Sequence, residues 1–343
     1  MAPSTPAPFV YGIGNALLDI EIRVPESTLS DLGIEKGSMT LMDHDQLNEL
    51  RLKLPEPHQH QCGGSACNTI VGARQFGIPA AFSGRLSADM AGNTYIQALD
   101  TLDVMHQMSP VSGTQTGTCM VLVTPDADRT LLTALGESAH FGISDCNGDY
   151  LNAASWLYIE GYLLTSPSGF EAACFARDQA IHSQSRVALT LSDPNVVTHF
   201  KSSFEQLMGI TTPSSVPKQP IIALLFCNES EALALTGAST VDQAIDLLTP
   251  YAAQVAITCG DRGARIWDGH TRHTISVPPV TAIDTNGAGD LFAGGVFSML
   301  YRGHGLAVAA EFGCFAASQL VGQYGPRMTS ATLQTVTTHQ LLH

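Results

Sequence analysis

The chain has 343 residues, 44% of them hydrophobic, enough to bury a core of enzyme size in one large domain with an appendage or in two domains. A net charge of −15, with only 16 Lys and Arg in the whole chain, argues against nucleic acid or an anionic membrane surface as partner, since phosphate binding needs clustered cations. The apolar stretches fall well short of the ~20 residues of a spanning helix, and the opening Met-Ala-Pro-Ser-Thr-Pro-Ala-Pro carries no targeting signal; it predicts a disordered lead-in and a cytoplasmic protein.

In chain order, Phe9–Ile13 reads as a short buried strand that runs into the polar pair Asn15 and Asp19. Asp19–Val24 and Ser38–Met42 alternate as half-exposed strands, and His58-Gln-His60 reads as a solvated loop rather than a metal site. Ser65–Phe76 is a predicted helix, Ala80–Ser83 a strand and Asp89–Leu102 a helix opened by an acidic cap. Thr116–Thr124 and Asp128–Leu135 form a predicted hairpin around Pro125-Asp126-Ala127. Strands at Trp156–Ile159, Val187–Leu191, Ile221–Cys227 and Val255–Thr258 follow, with helices at Gly169–His182 and Glu229–Leu235 and a surface loop at Thr211–Pro220. Leu291–Tyr301 reads as a buried helix and Gly305–Gly322 as a helix rich in small residues. The alternation predicts an α/β protein: a doubly wound, mainly parallel sheet flanked by helices. The segments that break the rhythm have no crossover helices and predict a small separate β-sheet. Eight cysteines with no C-x-x-C pair predict reduced, buried side chains rather than disulfides or metal ligands.

The stretch 284–295, Asp-Thr-Asn-Gly-Ala-Gly-Asp-Leu-Phe-Ala-Gly-Gly, carries the most chemistry. Gly287, Ala288 and Gly289 put almost nothing between their amides and an incoming anion, and the helix that follows presents unpaired donors and a partial positive charge. Asp290, a carboxylate beside a phosphate site, is repulsive there unless it has a task, and accepting a proton is the task that fits. Gly-rich turns before apolar helices are common, so the turn alone carries little. Asn228 and Glu231, three residues apart on one helical face, suit a hydrated Mg²⁺; alone they read equally as a helix cap and its capping-box partner.

Asp284–Asp290 resembles the D-T-x-G-A-G-D signature of the ribokinase-like (PfkB) carbohydrate and nucleoside kinases, and Gly63-Gly64-Ser65-Ala66-Cys67-Asn68 resembles that family's G-G-x-x-x-N. The resemblance runs from about Phe9 to Arg327. It implies a single ribokinase-like catalytic domain over 1–343, with a β-sheet lid made by inserted segments at about 17–60 and 108–138. ATP and Mg²⁺ are the implied cofactors, a monovalent cation stays open, and the implied partners are small molecules, with monomer and homodimer both open. Asp290 would be the proton acceptor, the amides of Gly287, Ala288 and Gly289 the anion hole, and Arg129 the lid residue that reaches the transferred phosphoryl. Asn228, Thr258, Gly260, Gly263, Asn286 and Ala317 would serve the nucleotide, with Glu231 and Asn228 holding Mg²⁺ through water. Gly14-Asn15-Ala16-Leu17-Leu18-Asp19 and Thr116-Gly117-Thr118-Cys119 resemble runs of the family's adenosine kinase branch. On that pattern Asn15, Asp19, Gly63, Gly64 and Asn68 would cradle a ribose, and Leu17, Cys119 and Leu163 would wall a base.

These runs favour transfer of the γ-phosphoryl to the 5′-hydroxyl of a purine nucleoside, adenosine first, with inosine or guanosine as variants. Ser192-Asp193-Pro194-Asn195 looks more like the family's sugar kinases, and Glu160 brings a charge near the expected base pocket, so a ribose- or fructose-type acceptor stays open. A noncatalytic nucleoside sensor is a further alternative, although Asp290, Asn228, Glu231 and Arg129 are all present. Gly12-Ile13-Gly14 after a strand prompts an NAD-dependent dehydrogenase, but Leu17 stands where the third Gly of that fingerprint belongs.

Overall fold

A computed structural model describes residues 7–126, 128–210 and 219–340. The expected lead-in, most of the loop at Thr211–Pro220 and Ala127 of the hairpin turn lie outside the described residues. The strands are β1 Val10–Ile13, β2 Leu17–Arg23, β3 Met39–Leu41, β4 Gln59–Gly63, β5 Ala80–Ser83, β6 Gly117–Val123, β7 Arg129–Ala134, β8 Trp156–Glu160, β9 Arg186–Thr190, β10 Ile222–Asn228, β11 Ala252–Thr258, β12 Ala264–Trp267 and β13 Arg272–Ile275.

Two sheets form. The larger runs β13-β12-β11-β10-β9-β8-β1-β5, parallel from β11 to β5 and antiparallel at β12 and β13. Its central strands are fully buried apolar runs such as Val10–Ile13 and Trp156–Glu160, as expected where helices cover both faces. One face packs the helices Ser65–Gln75, Ala288–Tyr301 and Leu306–Leu320 around Phe76, Phe292, Phe297 and Phe312. The other packs the helix Pro167–His182, whose Ala172, Ala173, Ala176 and Ala180 let it lie close to the sheet. Among the described residues no helix is long and apolar enough to cross a membrane.

The smaller sheet has the order β3-β7-β6-β2-β4 and obeys the period of two. Ile22, Met120, Leu122 and Leu132 turn to a core of their own with Leu29 and Leu47. Leu17, Asp19, Cys119, Val121, Arg129, Leu131 and Thr133 face a cavity against the large sheet.

Several expectations are corrected here. The His58–His60 loop is instead the start of edge strand β4, where His60 pairs with Ile20 and the His58 amide donates to Glu21 at 2.9 Å. The smaller sheet is not free of helices, since Glu26–Asp31 and His44–Arg51 lie between its strands. The helix expected from Leu291 starts at Ala288 instead, which puts Asp290 in its first turn. The chain leaving β1 enters β2, not a helix. Gly12 and Gly14 make room for Ile70 and for Glu160 with Ala66, so neither is free to seat a dinucleotide phosphate as the dehydrogenase fingerprint requires.

Candidate active site

The carboxyl ends of the parallel strands all open on one edge, where ligands bind in open α/β sheets. Asn15 follows β1, Glu160 ends β8, Ser192 follows β9, Asn228 ends β10 and Thr258 ends β11. With the smaller sheet above them they line a cavity of about 560 Å³, the size of a site for one or two small molecules.

The turn Gly287–Asp290 lines it. Gly287 caps the helix Ala288–Tyr301 at φ 71°, a left-handed conformation suited to glycine, and a Cβ there would strike Pro326. Space opens in front of Gly289. Among the described residues no protein group accepts from the amides of Gly287, Gly289 or Asp290, whereas Ala288 donates to the Thr285 carbonyl at 3.3 Å. The donor set is therefore two first-turn amides plus Gly287, with Ala288 partly engaged. Asp284, the first residue of the signature but given no role in the sequence, shapes the turn: its carboxylate is fully buried and accepts from the Asn286 amide at 2.8 Å and the Gly325 amide at 2.7 Å.

Asp290 faces the cavity and accepts from Ser65 Oγ at 2.7 Å and Asn68 Nδ2 at 3.0 Å. Burial raises its pKa, against those two hydrogen bonds and the charges of Arg129 and Arg327. Two hydrogen bonds fix the carboxylate and leave lone pairs for a further donor. Asn68 Oδ1 is buried without a partner, an acceptor waiting for a hydroxyl. Ser65, one of the variable positions of its motif, was missed as a site residue; its place one residue after the double glycine was the available signal.

Asp19 and Asn15 stand on the same side of the cavity. Burial pushes Asp19 up to about 7, with Arg327 pulling it down and Cys62 and Asp290 pushing it up. Gly63 is required here, because a Cβ would overlap the Asp19 carboxylate. Gly64, at φ 92°, lies against the Asn15 carbonyl. Arg327 was also missed: it lies outside every short motif, yet its guanidinium is buried beneath this cradle and donates to the Cys62 carbonyl at 2.7 Å.

The cavity residues of the smaller sheet divide by character. Leu17, Met39, Cys119, Val121 and Leu131 make an apolar wall, and Thr133 Oγ1 donates to Cys119 Sγ at 3.3 Å. Arg129 spans from the smaller sheet to the Gly287–Asp290 turn, donating through Nη1 to Asn286 Oδ1 at 2.8 Å. Leu163 does not join this wall; it is 2% exposed in the core beneath. The turn Gly161–Thr165 is a 3₁₀ helix, and its three-residue repeat gives Tyr162 and Thr165 to the cavity instead. Glu160 lines the cavity but its oxygens accept from the Asn15 and Ala66 amides at 3.2 and 2.7 Å. Burial pushes it up to about 8, against those two hydrogen bonds.

At the far end Asn228, Glu231, Thr258 and Gly260 line the cavity. Gly263 and Ala317 do not. Gly263, at φ 82°, packs on the Ile275 carbonyl, and Ala317 packs against the hydrophobic core. Asn228 and Glu231 form a full capping box: Asn228 Oδ1 accepts from the Glu231 amide at 2.9 Å, and Glu231 Oε2 accepts from the Asn228 amide at 3.0 Å. Burial pushes Glu231 up to about 7. Among the described residues no group of three His, Cys, Asp or Glu gathers to hold a metal. One carboxylate and one amide oxygen fit Mg²⁺ carried on nucleotide phosphates and touched through water, not a protein cage.

Comparisons with known proteins agree with this geometry. Residues 37–333 match the family model described as pfkB family carbohydrate kinase. An adenosine kinase of Saccharomyces cerevisiae is 27% identical over 94% of this chain and 97% of its own. The crystal structure of an adenosine kinase from Sinorhizobium meliloti superposes with a TM-score of 0.90 at 30% identity, covering 97% of this chain and 100% of that one. A probable sugar kinase from Rhizobium etli superposes equally well, with a TM-score of 0.90 at 29% identity over 98% of this chain and 100% of its own.

Proposed function

This chain belongs to the pfkB family of carbohydrate kinases, and from that premise we propose that it transfers the γ-phosphoryl of ATP to the 5′-hydroxyl of a purine nucleoside, adenosine before others. The observation that carries this reading is the pairing of Asp19, Asn15 and the unpartnered Asn68 Oδ1 with the apolar wall of Leu17, Met39, Cys119, Val121 and Leu131. A carboxylate suits two vicinal hydroxyls, and an apolar wall suits a flat base. A free sugar, polar on every side, would leave the wall without a partner.

In this reading the acceptor lies under the smaller sheet and ATP lies along Asn228, Glu231, Thr258 and Gly260, with the phosphoryl between them at Gly287–Asp290. The smaller sheet acts as a lid that excludes water. Glu231 and Asn228 would hold Mg²⁺ through water, and the ion would supply charge neutralisation on the phosphates. Asp290, a far weaker base than an alkoxide, takes the hydroxyl proton as the P–O bond forms. Most of the rate then comes from alignment and from the amides and Arg129 meeting charge on a largely dissociative transition state.

A sugar acceptor is the second reading, favoured by the Rhizobium etli likeness and by Ser192-Asp193-Pro194-Asn195 at the cavity. The test is ADP release with Mg-ATP and adenosine, inosine, guanosine, cytidine, ribose or fructose. Adenosine should give the highest kcat/KM; preference for ribose or fructose would refute the nucleoside reading.

A further inference from the structure

Cys62, the penultimate residue of β4, and Cys67, in the first turn of the helix Ser65–Gln75, bracket the double glycine of the acceptor cradle. Both are buried, and both sulfurs face one guanidinium nitrogen. Arg327 Nη2 lies 3.6 Å from Cys62 Sγ and 3.9 Å from Cys67 Sγ, while its Nε and Nη1 are buried with no partner. A guanidinium stays charged at any working pH, and leaving its donors idle in the interior is costly unless an anion stands beside it.

We propose that Cys62 and Cys67 are an oxidisable thiol pair, a modification site for a hydroperoxide, whose disulfide disables the acceptor cradle. The Cys62 thiol is pushed down to about 6, by the neighbouring Cys67 thiol first and by Arg327, against burial. Cys67 is pushed well up by burial. The two shifts run in opposite directions, Cys62 towards the thiolate and Cys67 towards the protonated thiol, the division that peroxide attack and resolution need. Cys119, Cys146 and Cys314 contrast with this, each pushed up to about 12 by burial.

In the first step the Cys62 thiolate attacks one peroxide oxygen, the O–O bond breaks, and the leaving oxygen takes a proton, giving the sulfenic acid and water or an alcohol. In the second the Cys67 sulfur attacks the Cys62 sulfur and displaces hydroxide, which leaves as water with the Cys67 proton. Two thiols lose two electrons and two protons to the peroxide. Access is through β4, an edge strand paired with β2 alone in its sheet, whose local opening exposes Cys62, the residue that meets the peroxide.

The consequence follows from what the two glycines between the cysteines touch. Gly63 is packed against the Asp19 carboxylate and Gly64 against the Asn15 carbonyl, so drawing the sulfurs together displaces both cradle residues. Oxidation also removes the anion facing Arg327. This effect on binding rests on the acceptor reading above; the bond itself does not.

The experiment treats the reduced full-length chain with hydrogen peroxide and maps peptides without reduction. The expected product is a Cys62–Cys67 link two hydrogens lighter than the dithiol, reversed by dithiothreitol. With it, KM for the acceptor should rise at least about tenfold while KM for ATP changes less than about twofold. Cys67→Ala, checked for native melting, should keep its acceptor KM under peroxide, and Cys62→Ser should do the same. Absence of the linked peptide would overturn the proposal whatever the substrate proves to be. A linked peptide with unchanged acceptor KM, or the same KM rise in Cys67→Ala, would overturn the coupling to the cradle.

Discussion

Replacing Asp290 with Asn removes the proposed proton acceptor while keeping nearly the same shape. The carboxylate accepts from Ser65 Oγ and Asn68 Nδ2 at 2.7 and 3.0 Å. An Asn at 290 can turn its oxygen to Asn68 Nδ2 and its amide to Ser65 Oγ, since a hydroxyl accepts as well as donates. Both contacts therefore survive, and a buried charge is lost, so the melting temperature should hold or rise. What disappears is general-base assistance, typically 10²–10⁴-fold, or about 3–5 kcal/mol of barrier. The Asp290→Asn variant should lose roughly that factor in kcat, with KM for ATP within about threefold of the parent. A coupled ADP-release assay gives kcat, and calorimetric titration gives nucleotide affinity. Because burial raises the Asp290 pKa, the parent's kcat should climb with pH through a value above the usual carboxylate range, and the variant should lack that limb. A kcat within tenfold of the parent would refute the proton-acceptor role.

Three further outcomes can be checked. Asp19→Ala should raise acceptor KM about 10–100-fold, the worth of hydrogen bonds to a charged group, with ATP KM nearly unchanged; equal effects on both substrates would contradict its place in the ribose cradle. Arg129→Ala should lower kcat by about 10²–10³, as loss of one donor to transition-state charge does, with little change in acceptor KM; an unaltered kcat would leave Arg129 as a tie to Asn286 only. Asp19, Glu160 and Glu231 are all pushed up, to about 7, 8 and 7, so the folded chain holds protons that the unfolded chain sheds near pH 4. Their contribution to stability is complete below that point and is lost as pH rises through 7 to 8. Melting temperature should therefore fall between pH 5.5 and 8.5, less steeply in Glu160→Gln, and a rise over that range would contradict the shifts.

The parts of the fold that could be read from sequence are those where one physical signal dominates. Val10–Ile13, Trp156–Glu160 and Ile222–Asn228 are short apolar runs between turn residues, and buried parallel strands require that. β13, Arg-His-Thr-Ile, is an exposed edge with one buried residue, and β4 begins Gln-His-Gln; neither has the pattern of a buried face, so both escaped. The helix His44–Arg51 is short, but its Asp43–Gln46 capping box was a legible start signal. Leu163 and Ala317 were misplaced for a different reason. Both sit on the expected elements, but which side chain faces a cavity depends on how a 3₁₀ turn rotates or a helix docks, and apolar character alone does not say. Arg327 and Asp284 act on residues 265 and 41 positions away, and no local pattern encodes such contacts.

The most direct test of the whole account is a crystal structure with adenosine and a nonhydrolysable ATP analogue bound together. The account predicts γ-phosphate oxygens within hydrogen-bond reach, about 3 Å, of the Gly287, Gly289 and Asp290 amides, with the 5′-hydroxyl between that phosphorus and Asp290. A γ-phosphate seated away from this turn, or a nucleoside whose 5′-hydroxyl points away from Asp290, would contradict it.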